Sequence, residues 1–290
     1  MLQLLFVMRG SFIPRIAPHI TFFTVYAIGV VVAVSRLEFP LGSDGLAPFT
    51  LLGVTLSIYL GFRNNASYDR WWEGRKLWGQ LVYDVRNLAR AAIGLLPADR
   101  REARALLMES LAFCHLLRGQ LRNTPVAAVA RGFIGADLNA VLGSVNPADA
   151  VIRLMGQRIA TLRRAGAVDA IGYRILDERL ATMASMQVGC ERIAGTPLPF
   201  AYTLLLHRSA YLFCLLLPFG LAGSTGWYTP LFTALVVYSF FGLDALSEEL
   251  EDPFGLAPNN LALDNLSRVC EISVFEALGD VPPPLLDADR

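Results

Sequence analysis

The chain has 290 residues, of which 54% are hydrophobic and only 17% charged, against the roughly 25% charge of an average soluble domain. That composition argues against disorder and collagen-like repeats, and 25 Lys+Arg balanced by 25 Asp+Glu leave no global field to attract nucleic acid. Four Cys (Cys114, Cys190, Cys214, Cys270) without a CxxC pair, and three isolated His (His19, His115, His207), argue against a disulfide framework or a zinc site.

The neutral balance hides a segregation. The basic excess lies in 63–192 and the acidic excess in 244–290. At the N-terminus, MLQLLFVMRG is too short for a secretory signal, and Arg9 and Arg15 follow its apolar part instead of preceding it, so no cleaved leader is expected. Residues 16–35 carry no formal charge and are long enough for a first membrane span. A second uncharged run, 45–62, ends abruptly at Arg63.

Residues 63–192 are too charged for bilayer but helical in pattern. Leu77, Trp78, Leu81, Val82, Val85, Leu88 and Ala92 recur at helical spacing, and Leu106, Leu107, Leu111, Leu117 and Leu121 mark a second helix. Asn146-Pro147 is a cap and first-turn pair for a third, running through Ile152, Met155 and Ile159. No segment alternates with period two, so no strands are expected.

A third uncharged run, 209–243, contains the turn chemistry AGSTGWYTP at 222–230 and reads as a hairpin of two helices. The stretch before it places His207 and Arg208 at membrane depth or in a wet cavity. Glu248, Glu249, Glu251 and Asp252 beyond it read as a solvated or inter-subunit face. The expected organisation is all-α, with membrane helices continuing into a cytoplasmic helical bundle: residues 1–62 with the first two spans, a cytoplasmic helical region 63–192, a membrane hairpin 193–243 and an acidic cytoplasmic segment 244–290. Arg9, Arg15, Arg63, Arg70, Arg75 and Lys76 against Arg36, Glu38 and Asp44 in the short link put both termini in the cytoplasm of a multi-pass inner-membrane protein.

Span two carries two stripes. Val54, Ile58 and Phe62 share one helix face, and Gly53, Ser57 and Gly61 repeat on the adjoining face. Small residues let a neighbouring helix approach closely in lipid. The large apolar stripe alone is compatible with lipid contact, with a packed core, or with a constriction of apolar rings that gates by dewetting.

After the stripe come Arg70, Trp71, Trp72 and Glu73. The pattern GF-x7-RWWE (Gly61, Phe62, Arg70 to Glu73) resembles the bestrophin family of ion channels, as do Arg9-Gly10-Ser11 before span one, Pro197-Leu198, and Asp252-Pro253-Phe254-Gly255, all in the family's order. The resemblance covers nearly the whole chain, which looks like a short bacterial member. It implies a homopentamer around one axial pore, with Val54, Ile58 and Phe62 as a hydrophobic neck. Asp169-Ala170-Ile171 resembles the family's cytosolic constriction, making Ile171 its candidate, with a bundle-core Ile as the alternative. The acidic run that binds calcium after Pro-Phe-Gly in animal members is replaced by Leu256-Ala257-Pro258-Asn259-Asn260, so neither a metal nor a cofactor is expected, and calcium regulation is not.

A passive channel for small monovalent ions is the leading reading. The resemblance allows chloride or another anion, and for a bacterial member a monovalent cation such as sodium. The expected partners are lipid, further copies of the chain and the permeating ions, with no nucleic acid. A membrane-anchored helical scaffold and a secondary transporter are the alternatives, although no internal repeat is visible. An enzyme is not expected: HExxH, GxSxG and a Gly-rich phosphate loop are all lacking.

Overall fold

The computed structural model describes residues 11–37 and 46–286. Among these the ordered elements are helices: α1 (Ile13–Leu37), α2 (Leu46–Leu95), α3 (Arg101–Arg122), α4 (Ala127–Ile134), α5 (Asp137–Leu142), α6 (Pro147–Arg164), α7 (Ala170–Gly195), α8 (Phe200–Thr225), α9 (Thr229–Glu251) and α10 (Leu263–Leu278). No strand occurs among the described residues. Arg9 and Gly10 of the N-terminal motif, and Glu38 and Asp44 of the first link, lie outside them.

The charge-based borders 62/63, 192/193 and 243/244 fall inside α2, α7 and α9. A change from apolar to charged side chains does not interrupt backbone hydrogen bonding. No Pro stands at the 62/63 border, and neither Gly61 nor Asn64 breaks the helix there, so the second apolar run is the start of a 50-residue helix that ends just before Pro97.

The chain divides into two compact units. The first comprises residues up to 71, 197–252 and 257–259. It holds α1, the start of α2, and α8 and α9. Ile13–Arg36 and Phe200–Glu251 are long and apolar enough to cross a membrane. The reversal within the second stretch sits where the turn chemistry lies: Gly226 ends α8 at φ 52°, a one-turn 3-10 helix spans Gly226–Tyr228, and Pro230 opens α9. Phe23 of α1, Leu56 and Leu60 of α2, Phe213 of α8 and Val237 of α9 meet in one apolar core.

The second unit comprises 72–196, 253–256 and 260–290. Trp78, Leu81, Val85 and Leu88 of α2 are buried there, as are Leu106, Leu107, Leu111 and Leu117 of α3. Asn146 caps α6, its side chain accepting from the Asp149 N–H at 3.1 Å, with Pro147 in the first turn. Burial raises the Glu109 carboxyl above its ordinary range, and Arg158, donating at 2.6 Å, pulls it partly back. His115 is buried, meets Glu271 at 2.6 Å and stacks on Phe133. Burial pushes the Cys190 thiol up to about 12, far from a reactive thiolate.

Candidate functional site

Successive residues of an α-helix are turned by about 100°, so positions two apart point to opposite sides. Leu56 and Leu60 are therefore the inner face of α2 and are buried in the first unit. Val54, Ile58 and Phe62 stand opposite, with 53%, 52% and 61% of their surface exposed. The three share one face, and among the described residues more than half of each side chain's surface is left open.

The adjoining small-residue stripe is split in its environment. A Cβ at Gly53 would meet Phe213 Cζ at 3.2 Å, so the helix that Gly53 admits closely is α8 of the same chain. Ser57 is exposed, its hydroxyl donating back to the Gly53 carbonyl at 2.8 Å. Gly61 has open space where a Cβ would sit. An apolar groove of about 720 Å³ runs beside Gly53 and Ser57, walled by Leu217 and Phe240.

The inner face of α2 continues from Leu56 and Leu60 through Arg63 to Ser67, at spacings of four, three and four residues. Arg63 is fully buried. Its Nη1 pairs with Asp244 Oδ1, and its Nη2 lies 3.7 Å from Glu251 Oε2. Asp244 Oδ2 is 3.2 Å from His207 Nδ1. The polarity switch at Arg63 is thus a buried ion pair. Its signal was present: Arg63 falls on the Leu56/Leu60 face, and Asp244 is the first charge after a long uncharged run.

Nor do the carboxylates before the Pro-Phe-Gly motif form a simple solvated face. Glu248 pairs with Arg15, Glu249 accepts from Asn259 Nδ2 at 2.6 Å, and Glu251 accepts from the Leu198 N–H at 3.0 Å. Glu248 and Glu251 find donors because α9 carries them back beside the first turn of α1 and the chain entering α8, and Glu249 is held by the loop that follows α9.

The family motifs sit at the ends of these elements. In the first unit Arg70 Nε donates to the Glu251 carbonyl at 3.1 Å, and Trp71 Nε1 to the Asn259 carbonyl at 3.0 Å. Trp72 is exposed. In the second unit Glu73 pairs with Arg192. Pro253 and Phe254 are buried, and Gly74 gives Phe254 room, since a Cβ there would lie 3.1 Å from the ring. Arg122 threads the same loop. It donates to the Phe254 carbonyl at 3.2 Å and the Leu261 carbonyl at 3.0 Å and pairs with Asp264, which Arg118 also holds at 2.7 Å. Gly255 is half-buried within this turn.

Ile171 is the second residue of α7, just after Asp169, whose carboxylate accepts from the Gly172 N–H. It is 70% exposed and contributes nothing to the core of its unit. No group of three or more His, Cys, Asp or Glu able to hold a metal occurs among the described residues.

The chain matches the family described as Bacterial/Fungal Bestrophin protein over residues 1–276. It is 65% identical over 290 residues to a voltage-dependent anion channel-forming protein of Mesorhizobium japonicum, covering 100% of this chain and 93% of that one. It is 41% identical over 276 residues to a voltage-dependent anion channel-forming protein of Escherichia coli K12, covering 95% and 90%. Among solved structures it resembles a bacterial bestrophin homologue from Klebsiella pneumoniae, with a TM-score of 0.87 and 38% identity over 91% of this chain and 98% of that one.

Proposed function

This chain belongs to the bestrophin family, membrane proteins that are ion channels and not enzymes, and on that premise we propose that it forms a passive channel for small monovalent ions, gated by a neck of Val54, Ile58 and Phe62 around the axis of a homopentamer. One observation carries the reading: three large apolar side chains, one helical turn apart, stand more than half exposed on the side of α2 opposite its buried face. A single chain of this kind does not enclose a pore, so α2 must meet copies of itself. Residue Ile171, exposed at the start of α7, supplies the second, cytosolic constriction in this reading.

Anions are the proposed permeant class, because the curated relatives are named for anion channels. An apolar neck offers no charge with which to choose a sign. The test is the reversal potential of the purified protein in a planar bilayer with asymmetric salt. A potential that follows the anion gradient supports the proposal. One that follows the cation gradient overturns the choice of sign and leaves the neck standing.

The groove beside Gly53 and Ser57 supports ring assembly, with a neighbouring copy filling the open side of α2. Side-chain size at Ser57 is then decisive. Ser57→Leu is expected to abolish the oligomer and Ser57→Ala to preserve it, read by native mass spectrometry in mild detergent. A stable monomer from the unmodified chain would refute assembly altogether. The inner membrane, with both termini cytoplasmic, is the proposed location and orientation. Arg63, Arg70, Arg75 and Lys76 at one end of the apolar part of α2 support it.

A further inference from the structure

Thr55 and Tyr59 each follow a neck residue by one position, which turns them by about 100° onto an adjoining side of α2. There a second opening of the first unit lies between α2 and α8. Leu52 and Tyr59 of α2 and Leu205, Leu212 and Leu216 of α8 wall an apolar crevice of about 230 Å³. Leu205, Ser209, Leu212 and Leu216 follow at spacings of four, three and four residues and so share one face of α8. The rim is open, for Leu52, Leu205 and Leu212 are each more than half exposed.

The dimensions of the crevice narrow its occupant. It runs from Phe49 to Tyr59 along α2 and from Leu205 to Leu216 along α8. At a rise of roughly 1.5 Å per residue either path is about 15 Å long, the depth of one leaflet of a hydrocarbon core roughly 30 Å thick. Spread over that length, the volume leaves the width of one chain of methylenes and not of a helix, which is about 10–12 Å across.

One end of the crevice is marked by a charge. The Tyr202 hydroxyl donates to the Tyr59 carbonyl at 3.0 Å, so the Tyr59 end is also the Leu205 end. Arg208 stands there, a surface neighbour of Leu205 and Leu212, three and four residues away on α8. It is exposed, and among the described residues no hydrogen bond or ion pair holds it. A guanidinium does not lose its proton, and a cation set in an apolar helix calls for an anionic partner. Basic positions between membrane helices are where acidic head groups are held.

We propose that this crevice binds an anionic phospholipid of the surrounding bilayer, with one acyl chain laid between α2 and α8 and the head-group phosphate on Arg208. The chain is held by apolar contact along Leu52, Leu212 and Leu216, and the phosphate accepts from the guanidinium. The site does not rest on the neck reading, because it lies on another side of α2.

Native mass spectrometry of the full chain in mild detergent tests this, with phosphatidylglycerol or phosphatidylcholine of identical acyl chains added at equal concentration. The chain should retain phosphatidylglycerol about fivefold over phosphatidylcholine, the effect of one Arg on an acidic head group. Arg208→Gln should bring the two lipids level. Ser209→Phe puts a ring into the crevice and should lose both lipids; Leu212→Trp, on the exposed rim, repeats the block should Ser209→Phe not fold. Equal retention of the two lipids by the unmodified chain, or an unchanged preference in Arg208→Gln, overturns the head-group contact and with it the site. Lipid retained by both blocked variants overturns the crevice. Blocked variants that keep lipid but lose the oligomer show a second copy of the chain in the crevice, and this too overturns the proposal. If the unmodified chain is a monomer and still prefers phosphatidylglycerol through Arg208, ring assembly fails and the lipid site stands.

Discussion

Replacing Ile58 by Ala is expected to raise current on the order of tenfold, equivalent to about 1.4 kcal/mol off the barrier. In a symmetric ring Val54, Ile58 and Phe62 form three successive apolar girdles about 6 Å apart, from a rise of roughly 1.5 Å per residue. A narrow girdle strips an ion of part of its hydration and returns no ligand, because none of the three side chains has a charge or a lone pair. The barrier therefore depends on width and dryness. Ile58→Ala widens the middle girdle, Ile58→Ser widens and wets it, and Ile58→Phe narrows it and should suppress current. Thr55, whose hydroxyl donates to the Leu51 carbonyl, and Tyr59, whose carbonyl accepts from Tyr202, lie on other faces and should not follow side-chain size. A face turned to lipid predicts no ordering at any of the three neck positions. Currents at matched protein amounts decide between the two, and equal currents from Ile58→Ala and Ile58→Phe would end the neck assignment.

The second large effect is expected at Arg122. Its side chain is 8% exposed and holds the loop after Pro-Phe-Gly through two backbone carbonyls and Asp264. Arg122→Met leaves the Phe254 and Leu261 carbonyls without this donor, and Asp264 with Arg118 alone. Buried polar groups that lose a charged donor cost about 1.5–3 kcal/mol each, not additively. The Asp264 part counts for less, because that carboxylate is partly exposed and screened. A total on the order of 3 kcal/mol should lower the melting temperature by roughly 6–12 °C. Arg122→Lys keeps the charge but cannot reach all three acceptors at once, and it should fall between.

The same contacts bear on calcium. Carbonyl oxygens and a carboxylate are what calcium seeks, and here a guanidinium occupies those of Phe254, Leu261 and Asp264. Neither melting nor current of the unmodified chain should respond to calcium. A ligand present at about a hundredfold its dissociation constant would add roughly 2.7 kcal/mol, which melting would register. If micromolar calcium raised the melting temperature, or switched current on, this account of the loop would be lost.

Much of this molecule is legible in one dimension. Helices are local, so the 3.6-residue period at Leu77 to Ala92, the cap at Asn146-Pro147 and the turn at 222–230 announce themselves. The split of α2 into a buried side, Leu56 and Leu60, and an exposed side, Val54, Ile58 and Phe62, follows from spacing once one side is known to be inside. Which side that is comes from Phe213, more than 150 residues downstream, packing at Gly53. Charge composition marks where the side chains change and not where a helix ends, since α2, α7 and α9 run straight through the changes.

What only tertiary structure decided are the partners of buried charges. Arg63 meets Asp244 across 181 residues, His207 meets Asp244 across 37, and Arg122 meets Asp264 across 142. No local period encodes such pairs. A charge is tolerated inside only where a distant one neutralises it, and that requirement is met by the packing of helices in space, not by their order along the chain.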